Sequence, residues 1–314
     1  MARPALAASV VVPSYRGAHR LPALLAALAA QDTTEPWEVV LVVDGDTDGS
    51  ERVAKAHRGP LDLRVVVLPE NLGRVTALNT GFDAARGRVL VRCDDDLEPA
   101  PGYVAAHVAA HAGREVGAVG LYRNVFPETP FARVYGRRAD TALREAAYAS
   151  AESTRWRYWA GNASVTREAW EEVGPYDTAY RAYGWEDVDW GYRLAATGRP
   201  VVLDPALETV HRLVATTTGL RARRAFYSGS AREIFSAKHG RVLAEPEPTG
   251  AWGRLVRGTA RSLSESRLGL AADAVDRLLP VLPDAAGRKA VALLVESGHR
   301  AGGRIARVSD PTAV

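Results

Sequence analysis

The chain has 314 residues, 47% of them hydrophobic, a formal net charge of +3 and one cysteine, Cys93. That length supports one large core, or a core with an appendage, and a lone cysteine excludes an intramolecular disulfide and predicts a reducing compartment. The net charge conceals an asymmetry: residues 1–211 hold 23 Lys and Arg against 28 Asp and Glu, whereas residues 212–314 hold 17 against 9. No apolar run approaches the roughly 20 residues that cross a bilayer, and Ala5 to Val12 reads as the start of a strand, not as a signal peptide. A cytoplasmic location, extending to the inner face of the cell membrane, is expected.

In chain order, Ser9-Val10-Val11-Val12-Pro13 is a β-branched strand, followed by Leu21, Leu24, Leu25 and Leu28, whose spacings of three and four mark one helix face. Glu38 to Val43 and Leu63 to Leu68 are a second and third buried strand. Helical stretches near 49–57 and 72–85 separate them from each other and from a fourth strand at 88–92. This βαβα alternation predicts an α/β fold with a mostly parallel sheet and helices on both faces. Ligands belong at the strands' carboxyl ends, where Pro13-Ser14-Tyr15, Asp44-Gly45-Asp46, Glu70-Asn71 and Asp94-Asp95-Asp96 would converge. Three carboxylates after a buried strand suggest a hard divalent cation with open positions for phosphate oxygens, and an acidic turn is the alternative. Cys93 reads as a small buried strand residue with no partner to activate it.

Farther on, Pro200 to Leu203 is the last strand, leading through Asp204–Val210 to His211. Gly184-Trp185-Glu186-Asp187 opens a helix running to about Ala196, and acidic residues in a first turn suit the helix dipole without any catalysis. Residues Leu121 to Arg157 have weak periodicity and several arginines. In the basic tail, Arg221, Arg223 and Arg224 precede Arg254, Arg257 and Arg261 on a helical period, with apolar repeats near 268–282 and 290–295. Glu245-Pro246-Glu247-Pro248-Thr249-Gly250 marks a linker. Such basic amphipathic helices either contact an anionic membrane surface or pack against protein, and packing is the favoured reading.

The ordered succession of short motifs resembles the inverting glycosyltransferases of family 2, over about residues 8–240. Val10-Val11-Val12-Pro13-Ser14-Tyr15 is similar to the family's opening strand, Val43 to Ser50 to its second strand end, and Asn71 to Gly81 to the helix before its Asp-x-Asp strand. Gly161-Asn162-Ala163-Ser164, Val173 to Asp177, Gly184-Trp185-Glu186-Asp187 and Asp204-Pro205 through His211 follow in family order. The chain departs from the pattern at Arg16, where the family usually has Asn, and at Gly45, which follows Asp44 where a second Asp is common.

The resemblance implies a GT-A fold, with residues 1–240 catalytic, about 1–120 binding nucleotide and 121–240 binding acceptor, and 241–314 a linker and helical extension. It implies a nucleoside-diphosphate sugar donor of UDP, dTDP or GDP type, bound by Pro13, Tyr15, Asp44, Asn71, Arg74, Asp94 and Asp95, with Asp44 reading the base. A divalent metal, Mn²⁺ or Mg²⁺, falls to Asp96 first, with Asp94 and His211, an imidazole favouring Mn²⁺. Asp187 becomes the catalytic base and Glu186 its runner-up. Trp185, Gly161 and Asn162 face an acceptor that is a glycan, a lipid-linked intermediate, a peptide or a small molecule. Arg123, Arg133, Arg137 and Arg138 could face an anionic substrate, or be surface residues. The expected reaction is a metal-dependent single displacement that inverts the anomeric carbon.

Other classes fit less well. A sugar-phosphate nucleotidyltransferase usually opens with a glycine-rich loop where Pro13-Ser14-Tyr15-Arg16 stands. A noncatalytic carbohydrate or nucleotide binder leaves the aspartates, Glu186-Asp187 and His211 without a purpose, and no nucleic-acid partner is expected. No Gly-x-Gly-x-x-Gly follows the first strand, which disfavours a dinucleotide oxidoreductase.

Overall fold

The computed structural model describes residues 5–180, 184–240, 242–243 and 248–309. The chain divides into two compact units, Met1–Val125 with Ala146–Arg181 and Glu186–Leu213, and Phe126–Glu145 with Ala182–Trp185 and Val214–Val314.

The first unit begins with β1 (Ala8–Ser14), α1 (Leu21–Ala29), β2 (Trp37–Asp44), α2 (Ser50–Ala56), β3 (Leu63–Leu68), α3 (Arg74–Ala84) and β4 (Val89–Cys93). The alternation read from the sequence is therefore present, with boundaries within about two residues. β5 (Leu97–Glu98), α4 (Tyr103–Ala110), β6 (Gly117–Val119) and β7 (Tyr122–Asn124) follow, then β8 (Asn162–Thr166), α6 (Arg167–Val173), α7 (Glu186–Ala196), β9 (Val201–Leu203) and β10 (Thr209–His211); α5 (Arg137–Tyr148) falls mostly in the second unit.

Seven strands form one sheet in the order β3-β2-β1-β4-β8-β6-β9, parallel except for β8, which runs against both β4 and β6. β1 and β4 are buried along their whole length, which is why their sequences are mostly apolar and do not alternate. Leu21, Leu24, Leu25 and Leu28 of α1 pack into that core as their spacing predicts. The polar exception in β1, Ser9, is satisfied: it donates to Glu38 Oε1 (2.8 Å) and accepts from the amides of Arg86 and Gly87 (3.1 and 2.7 Å). Phe82, Trp170, Tyr176 and Trp190 stack beyond the sheet, with Trp159 against Trp190.

A second sheet, β5-β10-β7, is small. β10 runs antiparallel to β5 and parallel to β7, pairing His211 with Leu97 on one side and with Asn124 on the other.

The second unit is helical: α8 (Thr218–His239), α9 (Gly250–Ser262), α10 (Glu265–Leu278) and α11 (Asp284–Ser309). Phe226, Ala260, Leu268, Leu279, Val291 and Leu294 form its core with Phe131 and Val134, so the apolar stripes of the tail helices are used within the unit. α8 and α11 approach closely enough that a Cβ on Gly229 would overlap the His299 carbonyl. α8, expected to belong with residues 1–240, is thus part of this unit. Of the expected linker, residues 245–247 lie outside the described residues. Among the described residues no helix is long and apolar enough to cross a membrane.

Candidate active site

The carboxyl ends of β1, β2 and β4 lie side by side, as the parallel register requires. The three consecutive aspartates after β4 have three different environments.

Asp94 turns back to Arg92 of the same strand, which donates from Nε to Oδ1 (2.9 Å) and from Nη2 to Oδ2 (3.3 Å). The Arg92 guanidinium is buried, lies 5.8 Å from the Tyr176 ring centroid and also donates to Asp187 at the start of α7. Burial opposes the charge on Asp94, but Arg92 and then Arg74 outweigh it and hold the carboxyl below its ordinary value. The Asp94 amide donates to the Gly161 carbonyl (3.0 Å), and a Cβ on Gly161 would overlap the Asp94 carboxylate. Gly161 therefore fixes Asp94 by close approach.

Asp95 is buried and committed elsewhere. It accepts from Ser14 Oγ (2.6 Å) and from Nε and Nη2 of Arg20 (2.9 and 2.7 Å), while that Nη2 also donates to the Tyr15 carbonyl (2.9 Å). Burial nevertheless pushes its pKa up. Asp95, expected at the donor, thus ties the end of β4 to Ser14 and Arg20.

Asp96 faces His211, with Oδ2 and Nε2 3.2 Å apart. Asp94, expected as a further metal ligand, accepts from Arg92 with both its oxygens. Among the described residues no group of three or more His, Cys, Asp or Glu is gathered to hold a metal. The pair itself fits a divalent ion. It offers one carboxylate and one imidazole, a donor set suited to Mn²⁺ and other transition ions. Ligands at neighbouring vertices of an octahedral ion with bonds of about 2.1 Å stand about 3 Å apart.

Asp44 is almost fully buried, and its two oxygens accept from the amides of Leu72 (2.7 Å) and Gly73 (3.0 Å). It thus orders the turn before α3 from the end of β2. Asn71 Oδ1 accepts from the Gly73 amide (3.1 Å), and Arg74 reaches Glu186 (3.5 Å). Pro13 is buried at the end of β1. Tyr15 is exposed, with the Arg16 guanidinium 5.2 Å from its ring centroid. Arg16 has φ 49°, a left-handed conformation uncommon outside glycine.

At the start of α7, Glu186 is 3% exposed and its Oε2 has no hydrogen-bond partner. Burial, and then the charge of Asp187, push its pKa to about 7. Burial also raises Asp187, against the opposing charge of Arg92.

The residues expected at the acceptor are engaged as follows. Asn162 is fully buried: Nδ2 donates to the carbonyls of Gly120 (3.0 Å) and Leu207 (2.7 Å), and Oδ1 faces His107 Nε2 (3.1 Å). It holds strands in place and has no polar atom left for a substrate. Trp185, at φ 73°, belongs to the second unit, where its indole donates to Ser228 Oγ (3.0 Å) and lies 5.1 Å from Phe235. Arg137 pairs with Glu128 and Arg133 with Asp284 (3.6 Å). The Cys93 thiol is buried and its pKa is pushed up by that burial, as suits a packing residue.

Arg92, Arg20, Tyr122 and Asn124 were not singled out from the sequence. Only Arg92 had a signal, a charge inside an apolar strand directly before three aspartates.

A family model described as glycosyl transferase family 2 matches residues 9–174. Validoxylamine A glucosyltransferase of Streptomyces hygroscopicus subsp. jinggangensis is 30% identical over 223 residues, covering 62% of this chain and 53% of its own length. Undecaprenyl-phosphate 4-deoxy-4-formamido-L-arabinose transferase of Pseudomonas fluorescens is 31% identical over 180 residues, covering 56% of this chain and 46% of its own. The chain spans about half the length of these curated relatives. Among solved structures, a mannosyltransferase, PcManGT of Pyrobaculum calidifontis in complex with GDP-Man and Mn²⁺, superposes with a TM-score of 0.60 at 22% identity. The match covers 94% of this chain and 86% of that one, a likeness of fold. With its motifs in order, its mostly parallel sheet and its acidic strand end, the chain belongs to glycosyl transferase family 2 and has the GT-A fold.

Proposed function

We propose that the protein transfers a sugar from a nucleoside-diphosphate sugar to an acceptor hydroxyl by one inverting displacement that depends on a divalent metal. The observation that supports this reading is the Arg92 bridge, because one guanidinium joins Asp187, taken as the base, to Asp94 at the acidic end of β4. The family match and a structural relative holding GDP-Man and Mn²⁺ support the donor class and the metal.

In this reading Asp96 and His211 hold the cation. When bound, it neutralises charge on the departing diphosphate. Arg74, exposed beside the turn that Asp44 orders, binds a donor phosphate in this reading. Asp187 accepts the acceptor's proton as its oxygen attacks the anomeric carbon, and the Arg92 guanidinium stabilises the aspartate in its ionised, proton-accepting form beforehand. Glu186, with an unpartnered oxygen and a pKa near neutrality, orients the attacking hydroxyl. Residues of the first unit carry this chemistry in the cytoplasm. The tail helices serve the packing of the second unit and not a membrane, since their apolar faces line its core.

The test is to follow nucleoside diphosphate release from UDP-, dTDP- and GDP-sugars with Mn²⁺, Mg²⁺ or chelator, and to read the product's anomeric configuration by NMR. Inversion, with loss of turnover in chelator and in Asp187→Asn, is expected. Retention of configuration would remove Asp187 from the role of base, and full turnover in chelator would remove the metal.

A further inference from the structure

The imidazole of His211 is held on three sides. Asn124 Oδ1 lies 2.6 Å from Nδ1, the Tyr122 ring stacks on it at 4.9 Å and 30°, and Asp96 faces Nε2. The small sheet produces this arrangement, since the parallel register of β7 and β10 sets Tyr122 opposite Thr209 and Asn124 opposite His211.

An amide oxygen accepts hydrogen bonds and cannot donate one. The short contact to Asn124 Oδ1 therefore requires the proton on Nδ1, and in the neutral ring Nε2 then carries a lone pair. That lone pair points at a carboxylate oxygen 3.2 Å away. Two electron-rich atoms so placed repel each other unless a proton or a metal cation lies between them.

We infer that Asn124 is a positioning residue for the metal: it fixes the His211 tautomer so that Nε2 is presented to the ion beside Asp96, while Tyr122 fixes the ring plane. The inference rests on the proposed metal pair and adds to it what makes His211 a ligand. Partners of this kind fix ring orientation and raise ligand basicity, and their loss typically weakens metal binding by about 10- to 100-fold.

The experiment is a Mn²⁺ titration of the full chain, read by the electron paramagnetic resonance signal of free Mn²⁺. It is run on wild type, His211→Ala, Asn124→Leu, Asn124→Ala and Asn124→Asp. A parallel long-range ¹⁵N NMR experiment on histidine-labelled, metal-free protein reads which ring nitrogen is protonated, and circular dichroism confirms folding of each variant. The expected result is Nδ1–H in wild type, a shift toward Nε2–H in Asn124→Leu and Asn124→Ala, and about 10- to 100-fold weaker Mn²⁺ binding in both. Asn124→Asp, which keeps the acceptor, retains the wild-type tautomer and binding. Unchanged Mn²⁺ affinity in His211→Ala would overturn the metal pair itself. Weakened binding in His211→Ala with unchanged tautomer and affinity in Asn124→Leu or Asn124→Ala would overturn the Asn124 inference alone. A doubly protonated His211 in the metal-free wild type would do so too, leaving an ordinary ion pair with Asp96.

Discussion

Replacing Arg92 by Met removes one buried guanidinium and keeps most of the stem that packs beside it. The side chain is 1% exposed, while its partners Asp94 and Asp187 retain 18% and 16% exposure. Leaving a buried charge without its partner costs about 3–5 kcal/mol. Two carboxylates are orphaned here but each keeps some water, so the same range applies to the pair together. The sign with pH follows from the carboxyls. Asp94 is held below its ordinary value by Arg92, so its contribution is present above the unfolded value of about 3.9 and is lost as pH falls through the lower folded value. Asp187 is already raised by burial, so its ionisation destabilises as pH rises. Without Arg92 both carboxyls move up. The variant's deficit is then full near pH 8 and shrinks toward pH 5, as the orphaned groups take up protons. Urea denaturation at the two pH values measures this. The near-ultraviolet signal of stacked Trp159, Trp170 and Trp190 follows the first unit, because two compact units need not unfold as one. A double-mutant cycle with Asp187→Asn isolates the pair. A deficit independent of pH, or a coupling below about 0.5 kcal/mol, would refute the bridge as an electrostatic device.

Glu186→Gln is expected to act in the opposite direction. A folded pKa of about 7 means that wild type loses stability as pH rises from the unfolded value of about 4.3 through 7, by at most about 3–4 kcal/mol and, with the titration shared by Asp187, by about 1–2. The Gln variant should therefore be the more stable at pH 8 and show little advantage at pH 4.5, in paired denaturation curves. Gly161→Ala should displace Asp94, because the added methyl overlaps its carboxylate. A stability loss of about 1–3 kcal/mol together with impaired turnover is expected, and wild-type behaviour in both would show the strand end to be pliable. Ending the chain after Leu243 strips α9–α11 from the buried face of α8, including Ala222, Ala225 and Phe226. That protein should lose a cooperative thermal transition for α8, and a retained one would mean that α8 does not depend on those helices.

The parts of the fold that were legible in the sequence are those where burial is uniform. β1, β2 and β4 are interior strands of the large sheet, so runs such as Val39 to Val43 carry no polar interruption and announce themselves. β5, β7 and β10 are two or three residues long, too short for any period, yet they bring Asn124, Asp96 and His211 together. The reversed strand β8 contains Asn162 and Ser164, polar residues that look available in one dimension. In the fold they are bound to His107 and His111 across the core, with Ser164 Oγ 2.8 Å from a ring nitrogen of each. The hydrogen bonds that decide such roles join residues 42 to 57 positions apart, a separation at which local pattern carries no information.

The acidic cluster makes the same point about chemistry. Asp94, Asp95 and Asp96 are identical letters at the end of one strand, but successive residues there face different neighbours. Asp94 meets the guanidinium of its own strand, Asp95 meets Arg20 and Ser14 across the β1 side, and Asp96 meets His211 from β10. A carboxylate that already accepts two charged hydrogen bonds gains little by exchanging them for a cation and must abandon a buried arginine to do so. Asp96, whose side chain faces the His211 imidazole, has no guanidinium to abandon. Metal affinity is therefore concentrated on the third aspartate by what the first two are committed to. Asp96→Asn should abolish a Mn²⁺-dependent rise in melting temperature in the presence of nucleoside diphosphate, whereas Asp95→Asn should lower the melting temperature and leave that rise in place. Loss of the rise in Asp95→Asn, with Asp96→Asn unaffected, would reverse the assignment.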